Sequence, residues 1–407
     1  MVFAIFVTFS LASAIVPAQS HAQKFKVLHT FNGSDGANPI GQLIRDATGN
    51  IYGTTGEGGS GKCKGALGCG TAFKMNKDGK LIWQDSFRRA SGAGPYAGLL
   101  RDAAGNLFGI TEIGGDNSCY PSYGCGTVFK LTKTGKETVL HKFTDVPDGE
   151  FPQSPLIEDP AGILYGTTYL GGAYEYGSVF SVTISGQERV LYSFTGGPDG
   201  GIVHSGVIRD ASGNLYGVTG GGGAYGGGVV FELDTTGKET VLYSFTGESD
   251  GGGPVSELIA DAAGNLYGLT AGGGNLECGG GDGCGVVFEL SPHSGEWMET
   301  TLYTFCSLSN CADGRRPTGG PLALDHAGNL YGTTQFGGTS RCGGSDGCGV
   351  VFKLDTTGKE IVLHSFTGGA DGKYPFKGLT TDLAGNLYGA ALQGGSHGYG
   401  TLFKITP

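Results

Sequence analysis

The feature that most constrains this chain is a set of phrases that recurs seven times, in one order, between residues 24 and 407. Successive copies lie about 51 to 61 residues apart, and internal repetition at such a spacing indicates a ring or array of equal units. The coil of a β-helix is far shorter. The repeat therefore decides the fold class before any single residue is considered.

Each copy carries three aromatic positions. The phrase typified by E-T-V-L-Y-S-F ends at Phe31, Phe87, Phe143, Phe194, Phe245, Phe305 and Phe366. The phrase D-x-x-G-N-L-Y-G places Tyr52, Phe108, Tyr165, Tyr216, Tyr267, Tyr331 and Tyr388. The phrase G-T-V-F-K-L places Phe73, Phe129, Phe180, Phe231, Phe288, Phe352 and Phe403.

One copy predicts four strands, which we call A to D. In the fourth copy they cover residues 206–210, 215–219, 229–233 and 239–245, separated by turns rich in Gly, Asn and Thr. In the last strand Val241, Tyr243 and Phe245 alternate with Thr240, Leu242 and Ser244, which is the period of two that marks a β-strand. Four short strands per repeat are typical of a propeller blade.

We therefore predict an all-β, seven-bladed β-propeller with four antiparallel strands per blade. The blades are expected at residues 38–87, 94–143, 151–194, 202–245, 254–305 and 317–366, with the seventh at 375–407 plus 25–31. The segment 25–31 matches a lone strand D, and the last copy ends on a strand C. The N-terminal strand is thus expected to complete the last blade and to leave no open edge.

The N-terminal segment and the spacing of the cysteines indicate that the protein is exported. Residues 2–16 are apolar, and Ser20, His21 and Ala22 precede Gln23, so residues 1–22 match a secretory signal that is too short for a membrane span. The ten cysteines form five close pairs: Cys63/Cys69, Cys119/Cys125, Cys278/Cys284, Cys306/Cys311 and Cys342/Cys348. Local disulfides in an oxidising compartment suit that spacing; zinc ligation, which prefers closer pairs, is the alternative.

The charge of the chain limits the classes of partner that it is expected to bind. The chain has a formal net charge of −11 and no cluster of Lys and Arg, which argues against nucleic acid and anionic membranes. We expect an extracellular polysaccharide or protein as partner, no membrane span after signal removal, and a monomer.

The repeated phrases GNLYGTT, GG, GTVFKL, GKETVLYSF and DG-x-x-P resemble those of a bacterial family, the choice-of-anchor tandem-repeat GloVer-containing proteins. The resemblance covers Lys24 to Pro407 and keeps the phrases in order in every repeat. It implies an exported surface protein, and it carries no catalytic residues to transfer.

The loops divide between two faces. The A–B and C–D turns are short and uniform, whereas the B–C and D–A loops are long and variable. Residues 56–70 form a long B–C loop in blade 1, as their counterparts do in blades 2, 5 and 6, and residues 169–177 form a short one in blade 3, as in blades 4 and 7. Each of the four long B–C loops holds a Cys-x₅-Cys pair, and the fifth pair, Cys306/Cys311, lies in the D–A loop between blades 5 and 6. All ten cysteines are therefore expected on the B–C/D–A face. Because binding residues usually lie on loops held by a rigid scaffold, we assign function to this face.

Blades 3 and 4 lack the disulfide and place aromatic residues there. We predict Tyr174, Tyr176, His204 and Tyr225 as ligand-binding residues. Tyrosine stacks on flat ligands such as sugar rings, and His204 offers a base or a ligand group. The alternatives are that the tyrosines fill the space of the missing disulfide and that the histidine is solvated.

Repeated acids have a structural and a functional interpretation. The D–A loops hold an Asp-Gly step at Asp35, Asp148, Asp199, Asp250, Asp313 and Asp371. Asp before Gly favours a turn, and a ring of such carboxylates is a possible Ca²⁺ site; no other cofactor is predicted. Strand A ends at Asp46, Asp102, Asp159, Asp210, Asp261, Asp325 and Asp382, which we expect to cap turns. His29, His141 and His364 occupy the strand D position of Tyr192 and Tyr243 and are expected to pack.

No linear catalytic motif is present: the chain lacks G-x-S-x-G, H-E-x-x-H and a P-loop. We therefore assign no catalytic residues. The first hypothesis is a non-catalytic binding or scaffold protein that engages a polysaccharide or a protein. The alternatives are a polysaccharide hydrolase or lyase with its site at the channel mouth near blades 3 and 4, and a structural component of the cell surface.

Overall fold

The computed structural model describes residues 23–407 apart from 64–66, 117–118, 120–122, 340–341 and 343–345. The described chain forms seven antiparallel sheets and two single-turn 3₁₀ helices, Gly279–Gly281 and Ser309–Cys311. The predicted all-β, seven-bladed propeller is confirmed. The predicted signal peptide, residues 1–22, lies outside the described residues.

Within each blade the strands follow one another in the chain, from strand A at the channel to strand D at the periphery. Blade 1 holds β2 (Ala37–Pro39), β3 (Ile44–Arg45), β4 (Ile51–Glu57), β5 (Thr71–Met75) and β6 (Leu81–Ser86). Blade 2 holds β7 (Leu100–Arg101), β8 (Leu107–Thr111), β9 (Thr127–Leu131) and β10 (Glu137–Lys142). Blade 3 holds β11 (Ile157–Glu158), β12 (Ile163–Thr168), β13 (Ser178–Thr183) and β14 (Glu188–Ser193). Blade 4 holds β15 (Ile208–Arg209), β16 (Leu215–Thr219), β17 (Val229–Leu233) and β18 (Glu239–Ser244).

The remaining blades repeat this arrangement. Blade 5 holds β19 (Gly252–Pro254), β20 (Ile259–Ala260), β21 (Leu266–Gly272), β22 (Val286–His293) and β23 (Glu296–Thr304). Blade 6 holds β24 (Arg315–Pro317), β25 (Ala323–Leu324), β26 (Leu330–Phe336), β27 (Val350–Leu354) and β28 (Glu360–Ser365). Blade 7 holds β29 (Lys373–Pro375), β30 (Thr380–Thr381), β31 (Leu387–Gln393) and β32 (Thr401–Thr406), and is completed by β1 (Lys24–Thr30).

The N-terminal strand closes the ring as predicted. Strand β1 pairs antiparallel with β32, from Lys24 opposite Thr406 to Thr30 opposite Thr401. The next residue, Phe31, is fully buried. The last blade therefore takes one strand from the start of the chain and three from its end, which leaves no unpaired edge on β32.

The seams between blades are built from paired phenylalanines. The strand D phenylalanine of one blade packs on the strand C phenylalanine of the next, with ring centroids 4.8 to 5.5 Å apart. The seven pairs are Phe31–Phe73, Phe87–Phe129, Phe143–Phe180, Phe194–Phe231, Phe245–Phe288, Phe305–Phe352 and Phe366–Phe403. The phenylalanines of strands C and D, two of the three aromatic positions of the repeat, thus hold adjacent blades together.

The repeated aspartates form hydrogen bonds inside turns. Asp210, which ends strand A of blade 4, accepts hydrogen bonds from the backbone amide of Asn214 (2.8 Å) and from its side chain (3.1 Å). The Asp-Gly aspartates bond to strand D instead: Asp199 accepts from the hydroxyl of Tyr192 at 3.0 Å, and Asp371 lies 3.0 Å from Nε2 of His364. Histidine and tyrosine therefore fill the same structural position, as their interchange in the repeat predicts.

Candidate functional site

All ten cysteines form the five predicted disulfides. Four bridges lie in the long B–C loops and the fifth, Cys306–Cys311, lies in the D–A loop that enters blade 6. Their sulfur atoms are used in these bonds. The bridges brace one face of the propeller, the face that sequence analysis assigns to function.

Four of these cysteines, on the predicted face, are anchored in the hydrophobic core. The second cysteine of each long B–C loop is at most 1% exposed and packs in a hydrophobic core cluster; the four are Cys69, Cys125, Cys284 and Cys348. The physical reason is their place in the chain, since a single glycine separates each from the buried strand C that follows.

Each long B–C loop is therefore tied to the core at its C-terminal end. The first cysteine of each pair is half-buried, as in Cys63 and Cys119, and packs against the same clusters from outside. The buried cysteines fix the loops from below and offer no surface to a ligand. A binding site on this face must consist of other side chains.

Strand A is broken at the channel mouth in every blade. The break follows a short first segment that pairs with strand B, and one residue in this segment or directly after its bridged residue has a positive φ, between 50° and 63°. These residues are Asn38, Gly94, Phe151, Ile202, Gly253, Arg316 and Tyr374. A left-handed conformation costs a residue other than glycine about 1–3 kcal/mol and persists where the surroundings impose it. Five of the seven are not glycine, so this mouth stores backbone strain.

Two positions per blade lie against one another at this mouth and differ among the repeats. The first position lies two residues after the positive-φ residue. It is occupied by Ile40, Tyr96, Gln153, His204, Val255, Thr318 and Phe376. The second follows the last core residue of strand B and is Gly56, Glu112, Tyr169, Gly220, Ala271, Gln335 and Leu392.

In blades 2 and 3 the second position contacts the first position of the next blade. The side-chain amide of Gln153 donates to Oε1 of Glu112 at 2.6 Å, and the rings of Tyr169 and His204 lie 4.5 Å apart. Nδ1 of His204 lies 3.3 Å from Oε1 of Gln153. Glu112, Gln153 and His204 thus form one connected chain of polar groups across blades 2, 3 and 4.

His204 is held neutral in this chain. Burial lowers the pKa of His204 to about 4, and the nearby Lys377 ammonium acts in the same direction. At neutral pH the ring therefore carries one proton, and the contact with Gln153 Oε1 assigns that proton to Nδ1. Nε2 then remains as an acceptor.

Lys377 crosses the channel. Its Nζ atom donates a hydrogen bond to the backbone oxygen of Gln153 at 3.5 Å, although the two residues belong to blades 7 and 3. Burial lowers the pKa of Lys377, and the carboxylates of Glu257 and Glu112 oppose that shift. Burial raises the pKa of Glu257 to about 7 and raises that of Glu112. The floor of the mouth thus contains a cation and two carboxyl groups with shifted pKa values.

A cavity of about 340 Å³ lies above Lys377. Its walls include Gln153, His204, Arg316, Phe336 and Phe376. A wider groove of about 720 Å³ shares Ala271, Arg316 and Phe336 with this cavity and continues over the loops of blades 4, 5 and 6. A cavity with aromatic walls and a few convergent polar groups is the expected form of a ligand site.

The opposite face holds a depression of about 780 Å³ among the A–B turns. Its aspartates already take part in the turns, since Asp46 accepts from Thr48, Asn50 and Tyr52 at 2.7 to 3.0 Å. The channel mouth instead combines the aromatic side chains Phe336 and Phe376 with the polar groups of Gln153 and His204. We therefore take the mouth as the candidate site.

Of the four predicted ligand-binding residues, the mouth contains His204. Tyr174 and Tyr225 are 58% and 68% exposed, and they lie near strand D tyrosines, Tyr192 and Tyr243, whose pKa values they help to raise. Tyr176 lies against Gly196. No hydrogen bond or ring contact within the described chain joins Tyr174 or Tyr225 to His204. The predicted set therefore divides between an outer rim and the channel mouth.

Sequence analysis missed Glu112, Gln153, Glu257, Arg316, Phe336, Phe376 and Lys377. A signal was available for Gln153 and Phe376, because the residue after the recurrent Pro of strand A changes its chemistry from copy to copy.

Apart from the disulfide sulfurs, one group in the described chain has the composition of a metal site. His141, Asp148 and Glu188 bring three ligand atoms within 4.8 Å of one another. Nε2 of His141 lies 2.9 Å from Oδ2 of Asp148, and the same histidine–aspartate contact occurs between His29 and Asp35, at 3.0 Å. This pair thus belongs to the repeated D–A turn, with Glu188 added beside it.

The chain is distantly similar to several solved structures. The extracellular domain of a proposed one-component system from B. thetaiotaomicron matches 93% of this chain and 39% of its own length, at 11% identity and a TM-score of 0.54. A proposed 6-phosphogluconolactonase from Bacteroides uniformis matches 86% and 88%, at 16% identity and a TM-score of 0.49. A proposed gluconolactonase matches 95% and 92%, at 11% identity and a TM-score of 0.44. At these identities the likeness concerns the fold alone.

No curated protein matches the chain. In the described residues, no helix is both long enough and apolar enough to cross a membrane. The model of the Gloeobacter/Verrucomicrobia repeat matches residues 13–158, 118–343 and 277–407, which together reach from the first blade to the last. The chain therefore belongs to the Gloeobacter/Verrucomicrobia repeat family.

Proposed function

We propose that this protein is an exported binding propeller that takes part of an extracellular polysaccharide into the mouth of its channel. The observation that carries the proposal is the cavity above Lys377, where Phe336 and Phe376 stand beside Gln153 and His204. Aromatic faces stack on the apolar faces of sugar rings, while amide and imidazole groups bond to hydroxyls. The five disulfides, which brace this face and suit an oxidising compartment, support the same proposal.

The test is a depletion assay with residues 23–407 and insoluble polysaccharides. It records the protein lost from solution and the sugar released into it. We expect depletion without release, and we expect Phe376→Ala and Gln153→Ala to reduce depletion roughly tenfold. Tyr225→Ala is the matched control on the outer rim and should bind as the parent does. Loss of binding in Tyr225→Ala, with binding kept in Phe376→Ala, would move the site to the rim.

A second candidate is a hydrolase or lyase that uses the same mouth. The observation that favours it is the convergence of Glu112, Glu257 and Lys377, whose pKa values burial shifts toward neutrality. Such shifts are typical of acid–base catalysts as well as of buried ion networks. Release of soluble sugar by the parent, abolished in Glu257→Gln with binding retained, would establish this candidate over the first.

A further inference from the structure

The ligand cavity has a charge opposite to that of the molecule around it. The formal net charge of the chain is −11. The cavity lining, in contrast, contains the basic residues Arg316 and Lys377 and, among the described residues, no aspartate or glutamate. Glu257 and Glu112 approach Lys377 from outside this lining, and burial raises the pKa of both carboxyl groups. Burial weakens the charge of these carboxyl groups and also lowers the pKa of Lys377, so the guanidinium of Arg316 is the strongest positive charge of the lining.

Arg316 is presented to the cavity without a carboxylate partner. Its neighbour Arg315 forms an ion pair with Asp346, but no carboxylate of the described residues lies within ion-pair distance of the Arg316 guanidinium. The Arg316 backbone is left-handed, with φ at 50°, and its amide is fixed by a 2.9 Å hydrogen bond to the oxygen of Cys284. A strained backbone thus holds a free guanidinium at the junction of cavity and groove.

Thr318 supplies an independent sign of a missing ligand. It is only 6% exposed, it lines the cavity, and its Oγ1 atom is buried with no hydrogen-bond partner in the described chain. A buried hydroxyl without a partner costs about 1–3 kcal/mol. Because this atom has almost no accessible surface, an acceptor in the cavity removes that penalty only when the Thr318 side chain turns toward it.

Lys377 lines the cavity and not the groove, whereas Arg316 and Phe336 line both. Lys377 also spans the channel to the backbone of Gln153. A chain whose terminal unit lies beside Lys377 therefore continues past Arg316 into the groove.

From these features we propose, resting on the proposed function, that the ligand is an acidic polysaccharide whose terminal uronate unit enters the cavity with its carboxylate toward Arg316, Thr318 and Lys377. Guanidinium and carboxylate match in geometry and form charge-assisted hydrogen bonds. Thr318 donates to the same carboxylate, and Phe336 and Phe376 hold the ring.

Calorimetric titration of residues 23–407 tests this proposal. The probes are tetrasaccharides of glucuronate, galacturonate and mannuronate, each paired with its carboxyl-reduced, neutral form. We expect at least one acid form to bind roughly tenfold or more tightly than its neutral partner, the difference that charge-assisted hydrogen bonds support. Equal binding of acid and neutral forms would overturn the acidic class and leave the proposed function standing. No binding by any probe would also overturn the acidic class, and the depletion assay decides the proposed function separately.

Two variants separate recognition from folding. Arg316→Gly removes the cation and also relieves the left-handed backbone, and glycine stands at this position in blades 2 and 5 as Gly94 and Gly253. We expect it to lose the preference for the acid form while its melting temperature is unchanged or higher. Arg209→Ala, an exposed arginine on strand β15, is the control for charge. A tenfold preference that survives Arg316→Gly would contradict the assigned role.

Thr318→Val replaces the hydroxyl by a methyl group of the same shape. Without ligand it should be as stable as the parent or more so, because it removes an unpartnered buried oxygen. With the acid probe it should bind roughly tenfold more weakly. Unchanged affinity would remove Thr318 from the site.

Chain length tests the terminal unit. If the cavity takes a chain end, the dissociation constant per mole of chain is the same for the tetrasaccharide and for longer chains of the same uronate. A constant that falls in proportion to chain length would show binding along the chain and would overturn this part of the proposal.

Discussion

The glycine in the middle of each strand B lies over the phenylalanine of strand C with no space between them. A Cβ atom built on Gly217 would stand 2.6 Å from Cζ of Phe231, which is fully buried. The glycine of the G-N-L-Y-G phrase is therefore required by packing, and the same close approach occurs in all seven blades.

Gly217→Ala is expected to destabilise the protein by about 1–3 kcal/mol, because overpacking forces the buried ring from its place. Urea denaturation of residues 23–407 measures the loss. Gly221→Ala is the control, since its Cβ would meet its nearest atom at 3.6 Å and it should change stability little. Equal effects of the two substitutions would refute the packing argument.

A second feature at the residue scale is a row of buried carboxyl groups at the seams between blades. Burial raises the pKa of Glu137, Glu239, Glu299 and Glu360 to about 7 and that of Glu188 to about 6. Glu239 lies near Asp199 of the preceding blade, and its Oε1 atom is buried without a partner in the described chain.

For Glu239 the pKa is higher in the folded protein than its unfolded value of about 4.3. Its contribution to stability is therefore largest below about pH 4.3 and falls as the pH rises toward 7. We expect Glu239→Gln to be more stable than the parent at pH 8, by on the order of 1 kcal/mol for this partly exposed group, and to lose the advantage at pH 5. Melting curves of both proteins at the two pH values measure this difference.

The exposed Glu296 provides the control. Glu296→Gln should follow the parent at both pH values. A Glu239→Gln protein with the same advantage at pH 5 and pH 8 would show that ionisation of this carboxyl group is not the cause.

At the scale of the element, the long B–C loops depend on their disulfides. The Cys278–Cys284 bridge closes a loop of separation 6 with its Cα atoms 5.9 Å apart, and Cys284 is fully buried. Asn275, in the same loop, donates to the backbone oxygen of Cys306 at 3.1 Å. The bridge thus holds this loop against the next D–A loop.

Replacing Cys278 and Cys284 together with serine is expected to cost about 2 kcal/mol, because the unfolded chain regains the freedom of the open loop. The loop also borders the groove, so binding of a tetrasaccharide should weaken more than binding of a monosaccharide. Urea denaturation and calorimetric titration measure the two effects. Equal weakening for both ligands would show that the loop does not contact the outer sugar units.

At the scale of the whole molecule, the ring is held closed by the clasp of β1 on β32. Phe31 and Phe73, from the start of the chain, share one core cluster with Tyr388 and Leu402, from its end. Removing residues 23–31 would expose the β32 edge and the ring of Phe73 to solvent.

We expect the chain of residues 32–407 to melt well below residues 23–407 and to self-associate through the open edge. Light scattering and thermal melting measure both effects. A synthetic peptide of residues 23–31 should restore the parent behaviour when added. An unchanged melting temperature in the truncated chain would contradict the clasp as the element that closes the ring.

The sequence by itself determined the blade, the number of blades and the way the ring closes. Strand alternation, turn residues and the paired cysteines act over a few residues, so they can be interpreted directly in the chain. Repetition then showed that Phe31 belongs to a last strand that the C-terminus lacks. The disulfides and the structural roles of His364 and Asp210 were predictable for the same reason.

The tertiary structure decided the site. The contact between Lys377 and Gln153 joins residues 224 positions apart, and no local pattern encodes it, because closure of the ring creates it. The sequence did not show how exposed the predicted ligand-binding side chains are. Tyr174 and Tyr225 belong to an outer rim, whereas His204 faces the channel. Only the packed ring shows which of the variable loop residues converge, since convergence depends on the positions of several blades at once.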